Sequence, residues 1–180
     1  ELKEQGGLGL LVALLTIMVY IAVRFQFKFA AGAVVALIHD VIITVGLFSL
    51  FGWEFDLNVL AAILALIGYS LNDTIVVFDR VRENFRRLRK VEPMTVIDIS
   101  LTETLSRTIV TGLTTLLVLV ALYLFGGEAL NGFSKALIIG IVIGTYSSVY
   151  IASSLTLLMK VSSEDLMIPV KDSEEADGRP

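Results

Sequence analysis

The sequence predicts an all-α membrane protein with five transmembrane helices. Composition, charge distribution and the length of the apolar runs all indicate this class. Hydrophobic residues make up 56% of the 180 residues, and the mean hydropathy is +0.83. Only 18% of the residues are charged, against about a quarter in soluble domains. The runs between the charged blocks are long enough to cross ~30 Å of hydrocarbon, which takes roughly 20 helical residues.

The five predicted spans form a transmembrane domain over residues 6–159, and they cover residues 6–23, 29–51, 57–78, 108–125 and 134–159. Lys and Arg occur in the links 24–28 and 79–107 and in the tail 160–180, whereas the links 52–56 and 126–132 have none. This alternation is typical of the positive-inside rule. We therefore expect the basic links and the C-terminus to be cytoplasmic.

The link 79–107 is predicted to begin as a basic amphipathic helix. Its apolar face repeats every three to four residues, at Val81, Phe85 and Leu88, with arginines on the other faces. Such a helix is suited to the membrane interface, and its position beside a span favours membrane lipids over nucleic acid as its partner. The tail 160–180 carries six acidic and three basic residues without periodicity. We expect this tail to be disordered.

The residue types exclude several kinds of chemistry. The chain has no Cys and a single His, which excludes disulfides and thiol catalysis and argues against a zinc site. The sequence therefore predicts no metal and no cofactor. We interpret the chain as a non-enzyme that moves a substrate across the bilayer or uses an ion gradient.

Asp73 and Arg107 are the first candidates for a functional site, because ionisable groups inside a bilayer are costly. Asp73 lies ~24 Å along its helix from the predicted outer boundary, and Arg107 lies ~27 Å from the same boundary on the next, antiparallel span. An acid and a base thus arrive at nearly the same depth. They can form a switch in which proton uptake separates them, or Arg107 can instead pair with Glu103 while Asp73 is held by hydroxyl groups.

Asp40 is the second candidate, near the middle of its span and next to His39, the only histidine. Either residue can serve a proton relay, or both can form a structural polar pair. The last span has a small residue at every fourth position, namely Gly140, Gly144, Ser148 and Ala152. This spacing predicts a face on which another helix packs closely.

Five segments of the sequence resemble the SecD/SecF family of protein-export membrane subunits. They are residues 36–44 (ALIHDVIIT), 67–77 (IGYSLNDTIVV), 79–84 (DRVREN), 105–108 (LSRT) and 122–127 (LYLFGG). The resemblance extends over about residues 8–158. It implies a fold related to one six-helix half of the resistance-nodulation-division (RND) transporters. The first span and the periplasmic domain of such a half are absent from this sequence, and we expect them before Glu1.

The resemblance also implies a function. It implies an accessory subunit of Sec protein export in the bacterial inner membrane, which uses the proton-motive force with a SecD partner beside the SecYEG channel to assist exported polypeptides. In the family, the positions that match Asp73 and Arg107 take part in proton conduction, and Asn72 belongs to the same motif. The alternatives are an RND-type proton-driven exporter half for small molecules or lipids, and a scaffold that conducts nothing.

Overall fold

Four long helices follow one another in the computed structural model of the chain. The structure describes residues 7–9, 11–12, 15–16, 19–20, 27–88 and 90–159. The helices are α1 (Phe27–Leu50), α2 (Leu57–Arg87), α3 (Pro93–Phe125) and α4 (Glu128–Leu158). All four are long and apolar enough to cross a membrane. The all-α membrane fold predicted from the sequence is therefore confirmed.

Each of the four later predicted spans falls on one of these helices. The predicted first span, 6–23, is only partly described; its described residues between 7 and 20 are helical and exposed. The predicted disordered tail, 160–180, lies outside the described residues.

The bounds differ from the prediction on both sides of the 79–107 link. Helix α2 continues to Arg87, and α3 already begins at Pro93, so most of the link consists of the ends of two long helices. The apolar stripe predicted for the membrane interface is instead buried, with Val81 and Phe85 each 1% exposed. Packing against neighbouring helices thus extends α2 beyond its apolar run. The arginines did not mark a helix end, because a charged exposed face is compatible with a buried opposite face.

Local signals fix the helix ends. Asp56 caps α2, its Oδ1 accepting a hydrogen bond from the Val59 amide at 2.8 Å. Pro93 starts α3 in the first turn, where its missing N–H costs nothing. Between α3 and α4, Gly127 has φ of +73°, a left-handed conformation that favours glycine.

Helix α4 is the centre of the bundle, because it packs against all three other helices, whereas α1 and α3 do not contact each other. Small residues allow this close approach. A Cβ placed on Gly140 would clash with the Leu66 side chain on α2. At the other end of α4, the Ala152 carbonyl oxygen lies 3.2 Å from the position that a Cβ on Gly32 of α1 would occupy.

We predict that Gly140→Ala destabilises the protein by about 1–3 kcal/mol, because the added methyl group overpacks the buried Leu66. Gly46→Ala is the matched control, since a Cβ there would meet nothing within 4 Å. Thermal unfolding of both variants in detergent measures the difference. Equal stability of the two variants would show that the α2–α4 contact is not tightly packed.

Candidate functional site

One polar segment of α2, residues 69–74, connects α2 to each of its three neighbours. Ser70 and Thr74 are buried and face α1 and α4, whereas Tyr69 and Asp73 are partly buried and face α3. Residues four apart on a helix share a face, so the segment presents two polar faces side by side. Two carboxylates, Asp40 and Asp73, receive hydrogen bonds at these faces.

The Asp40 carboxylate lies inside the bundle and is only 1% exposed. Its Oδ2 accepts a hydrogen bond from Ser70 Oγ at 2.7 Å, and its Oδ1 lies 3.1 Å from His39 Nδ1. Asp40 is thirteen residues from the start of α1 and ten from its end, so it lies ~20 Å and ~15 Å along the axis from the two ends. It therefore lies at mid-membrane depth, where a polar group without a partner is most costly.

Helix α4 closes this site from the opposite side. A Cβ on Gly144 would lie 3.4 Å from Asp40 Oδ2 and 3.5 Å from Ser70 Oγ. One turn further on, Ser148 Oγ lies 3.0 Å from Thr74 Oγ1. Three helices thus meet around one carboxylate, and a Cβ at position 144 would already be in van der Waals contact with it.

The Asp73 carboxylate is held between α2 and α3. Thr108 Oγ1 of α3 donates a hydrogen bond to Asp73 Oδ1 at 2.8 Å. One turn away on α2, the Tyr69 side chain lies beside Thr115, whose hydroxyl group donates to the Thr111 carbonyl at 2.8 Å. The polar contact between α2 and α3 therefore consists of an acid and a phenol that face hydroxyl groups.

Arg107 does not form an ion pair with Asp73 in the described part of the chain. Its side chain is exposed, one residue before Thr108, and close enough for its charge to act on the Asp73 carboxylate. The other pairing considered for it is also absent among the described residues, because Glu103 binds Arg80 instead, at 3.2 Å. The acid and the base thus lie at the same level of the α2–α3 interface, with a hydroxyl group as the direct partner of the acid.

A cavity of about 390 Å³ opens between α2 and α3 on the arginine-rich side of Asp73. Its lining consists of Val76, Asp79, Arg80, Glu83, Glu103, Thr104 and Arg107. Buried Asn84 lies behind Glu103 and donates to its Oε2 at 2.8 Å. The cavity is thus mostly charged and begins less than one helical turn from Asp73.

The remaining candidates have clear positions. Asn72 is exposed on α2, away from both carboxylates. The four small residues Gly140, Gly144, Ser148 and Ala152 are all buried against α1 or α2. No cluster of three His, Cys, Asp or Glu side chains that could hold a metal occurs among the described residues.

Sequence reasoning offered hydroxyl groups as partners of Asp73, but it did not assign Thr108 to Asp73 or Ser70 to Asp40. Both are hydroxyl residues in helices rich in such residues, and neither is costly to bury. Their positions in the sequence were the available signal. Ser70 is three residues before Asp73, and Thr108 directly follows Arg107.

Comparison with known proteins gives a consistent result. Residues 1–162 match a family described as "Protein export membrane protein SecD/SecF, C-terminal". The chain is 54% identical over 177 residues to a protein translocase subunit SecF of Vibrio alginolyticus, and 54% identical over 180 residues to one of Pseudomonas aeruginosa. These alignments cover 98% and 100% of this chain, but only 56% and 58% of the relatives. The chain thus spans a little more than half the length of these relatives.

Solved structures show the same likeness. A crystal structure of SecDF from Thermus thermophilus, described as a translocon-associated membrane protein, has a TM-score of 0.85 and 43% identity. The match covers 88% of this chain and 22% of that one. A second SecDF structure, in a super-membrane-facing form, has a TM-score of 0.79 and 45% identity over 83% of this chain and 20% of that one.

We predict that Ser70→Ala destabilises the protein by about 1–3 kcal/mol, because it leaves the buried Asp40 carboxylate without its hydroxyl donor. Thr114→Ala is the control, since the exposed Thr114 hydroxyl donates only to the backbone of its own helix. A double-mutant cycle of Ser70→Ala with Asp40→Ala, which removes the acceptor, followed by thermal unfolding, should give a coupling of about 1 kcal/mol or more. A coupling near zero would contradict the hydrogen bond between Ser70 and Asp40.

Proposed function

Because this chain belongs to the SecD/SecF family of protein export membrane proteins, we propose that it uses the proton-motive force to assist polypeptide translocation across the bacterial inner membrane. The observation that carries the proposal is the pair of carboxylates held by hydroxyl groups on the two faces of α2 residues 69–74. A buried carboxylate can bind and release a proton at modest structural cost. A group that holds two helices together changes their contact when its charge changes.

Asp73 is the proton-binding group of this proposal. In its ionised form, the carboxylate accepts the Thr108 hydrogen bond and attracts the Arg107 charge. Protonation removes that attraction, so α3 is held less strongly against α2. A proton gradient moves the helices only if the two arrangements bind the proton with different affinity. The fixed Thr108 donor and the nearby Arg107 provide such a difference, because both belong to α3 and move with it.

The charged cavity beside Arg107 supports a route for the proton on the arginine-rich side. Asp73 is less than one turn from its wall, and Glu83 and Glu103 lie further along the same cavity. The positive-inside rule assigns this side to the cytoplasm. In this proposal a proton taken up from the periplasm leaves through the cavity.

Asp40 is a second proton-binding candidate in the same proposal. Its contact with Ser70 connects it to the α2 segment that carries Asp73, within one helical turn. His39 adds a second titratable group beside it. Asn72 is exposed and points away from both acids. A role for Asn72 in the relay therefore requires a hydrogen-bond partner outside the described residues.

SecD is the proposed partner, and α3 has the surface to receive it. Only 17% of the most apolar stretch of α3 is buried against the other residues that the structure describes. Its exposed side includes Ile109, Val110, Leu113, Leu117, Val118 and Leu124. The matched SecDF chains are much longer than this one, which leaves room for a second half to cover that side. The SecYEG channel, the exported polypeptides and the membrane lipids complete the proposed assembly.

We predict that Asp73→Asn abolishes the part of export that depends on the proton-motive force, because Asn keeps the size and hydrogen bonding of Asp but cannot exchange a proton. The measurement is export of a precursor into inverted membrane vesicles that contain the full-length protein with SecD, with and without a proton gradient.

Asp98→Asn is the matched control for this prediction, since Asp98 is an exposed carboxylate near the start of α3. Both variants are compared with wild type at equal membrane levels. Gradient-dependent export at the wild-type rate in Asp73→Asn would remove Asp73 from the proposal. Equal loss in both variants would show a general effect of charge removal.

A further inference from the structure

The end of α2 opposite its Asp56 cap contains a second charged cavity, of about 570 Å³, whose arginines take no part in the proton proposal. Its lining consists of Asp79, Arg82, Glu83, Arg86 and Arg87. Three guanidinium groups therefore face two carboxylates. One of these carboxylates, Glu83, is already held by Arg80 at 2.8 Å.

Two of the three arginines of this cavity, Arg82 and Arg87, lack an ion-pair partner among the described residues. The Nε of Arg82 is also buried without a hydrogen-bond partner among those residues. A buried N–H group of a guanidinium is costly to leave without an acceptor. The cavity therefore has more guanidinium donors than carboxylate acceptors.

The depth of the cavity coincides with a lipid headgroup layer. At 1.5 Å per residue, Arg82 lies ~37 Å along α2 from Leu57. The hydrocarbon core takes up ~30 Å of that length, and each headgroup layer adds roughly 5–7 Å. Arg82 therefore lies at the level of the lipid phosphates, with Arg86 one turn beyond it.

We propose that this cavity binds the phosphate group of an anionic phospholipid, with Arg82 as the central ligand. The planar guanidinium group offers a fork of donors that matches the oxygens of a phosphate. A bound phosphate oxygen supplies the acceptor that Arg82 Nε lacks. The second acid of the lining, Asp79, and the ion-paired Glu83 limit the site to one phosphate. This site shares Asp79 and Glu83 with the cavity of the proposed proton route, but its three arginines do not line that cavity, and the site would exist in a protein that conducts no protons.

The test is lipid retention by the full-length protein with its SecD partner, purified from membranes and analysed by native mass spectrometry. The protein is exchanged into micelles that contain equal amounts of phosphatidylglycerol and phosphatidylcholine. We expect wild type to retain phosphatidylglycerol preferentially. Arg82→Gln should retain it about tenfold less, as expected for the loss of a charge-assisted hydrogen bond.

Two further variants separate a site from diffuse attraction. Lys90→Gln removes one positive charge from an exposed position near the same end of α2 but outside the cavity, and it should retain the lipid as wild type does. Arg82→Lys keeps the charge but loses the fork, and it should lose most of the preference. Equal losses in Lys90→Gln and Arg82→Gln, or full retention in Arg82→Lys, would overturn the proposal.

A competition arm identifies the source of the phosphate. Inorganic phosphate or glycerol phosphate, added at millimolar concentration, should leave the amount of retained phosphatidylglycerol unchanged. These soluble ions lack the acyl chains that anchor a phospholipid beside the helices. Displacement of the lipid by either ion would show a site for free phosphate and overturn the lipid assignment.

Discussion

The structure depends on one constraint, which is that a carboxylate inside a bilayer must be surrounded by hydrogen-bond donors. The chain meets it with hydroxyl groups from neighbouring helices. Ser70 donates to Asp40, and Thr108 donates to Asp73. Both bonds connect α2 to a neighbour, α1 in one case and α3 in the other. The hydrogen bonds that offset the cost of burying the two carboxylates therefore also hold the helices together.

The small residues of α4 follow from this constraint. Asp40 and Ser70 lie where α4 approaches, and the residue that faces them is Gly144, at which a Cβ would already be in van der Waals contact with both. Ser148 continues the polar contact by meeting Thr74. The repeat of small residues on α4 thus allows the helices to pack closely, and it also allows polar groups of neighbouring helices to contact one another. A repeat chosen for packing alone would not require a serine opposite a threonine.

The sequence predicted the number, order and class of the later helices, because membrane spans are long and uninterrupted apolar runs. It also identified Asp40 and Asp73, since a carboxylate within such a run is rare. It did not predict that α2 continues to Arg87, because burial of Val81 and Phe85 depends on neighbours that the local pattern does not contain. The sequence offered both Arg107 and hydroxyl groups as partners of Asp73 and could not decide between them for a related reason. Matched depth is compatible with contact to Arg107 or to Thr108, and only side-chain direction separates the two.

In the proposed function, Asp73 exchanges a proton while it holds α2 to α3. Infrared difference spectroscopy of the full-length protein with SecD, recorded as the pH is lowered, measures this directly through the carbonyl band of a protonated carboxyl group. We predict a band that appears on acidification in wild type, is missing from Asp73→Asn, and is accompanied by changes in the helix amide bands. Identical difference spectra for wild type and Asp73→Asn would contradict the proposed function.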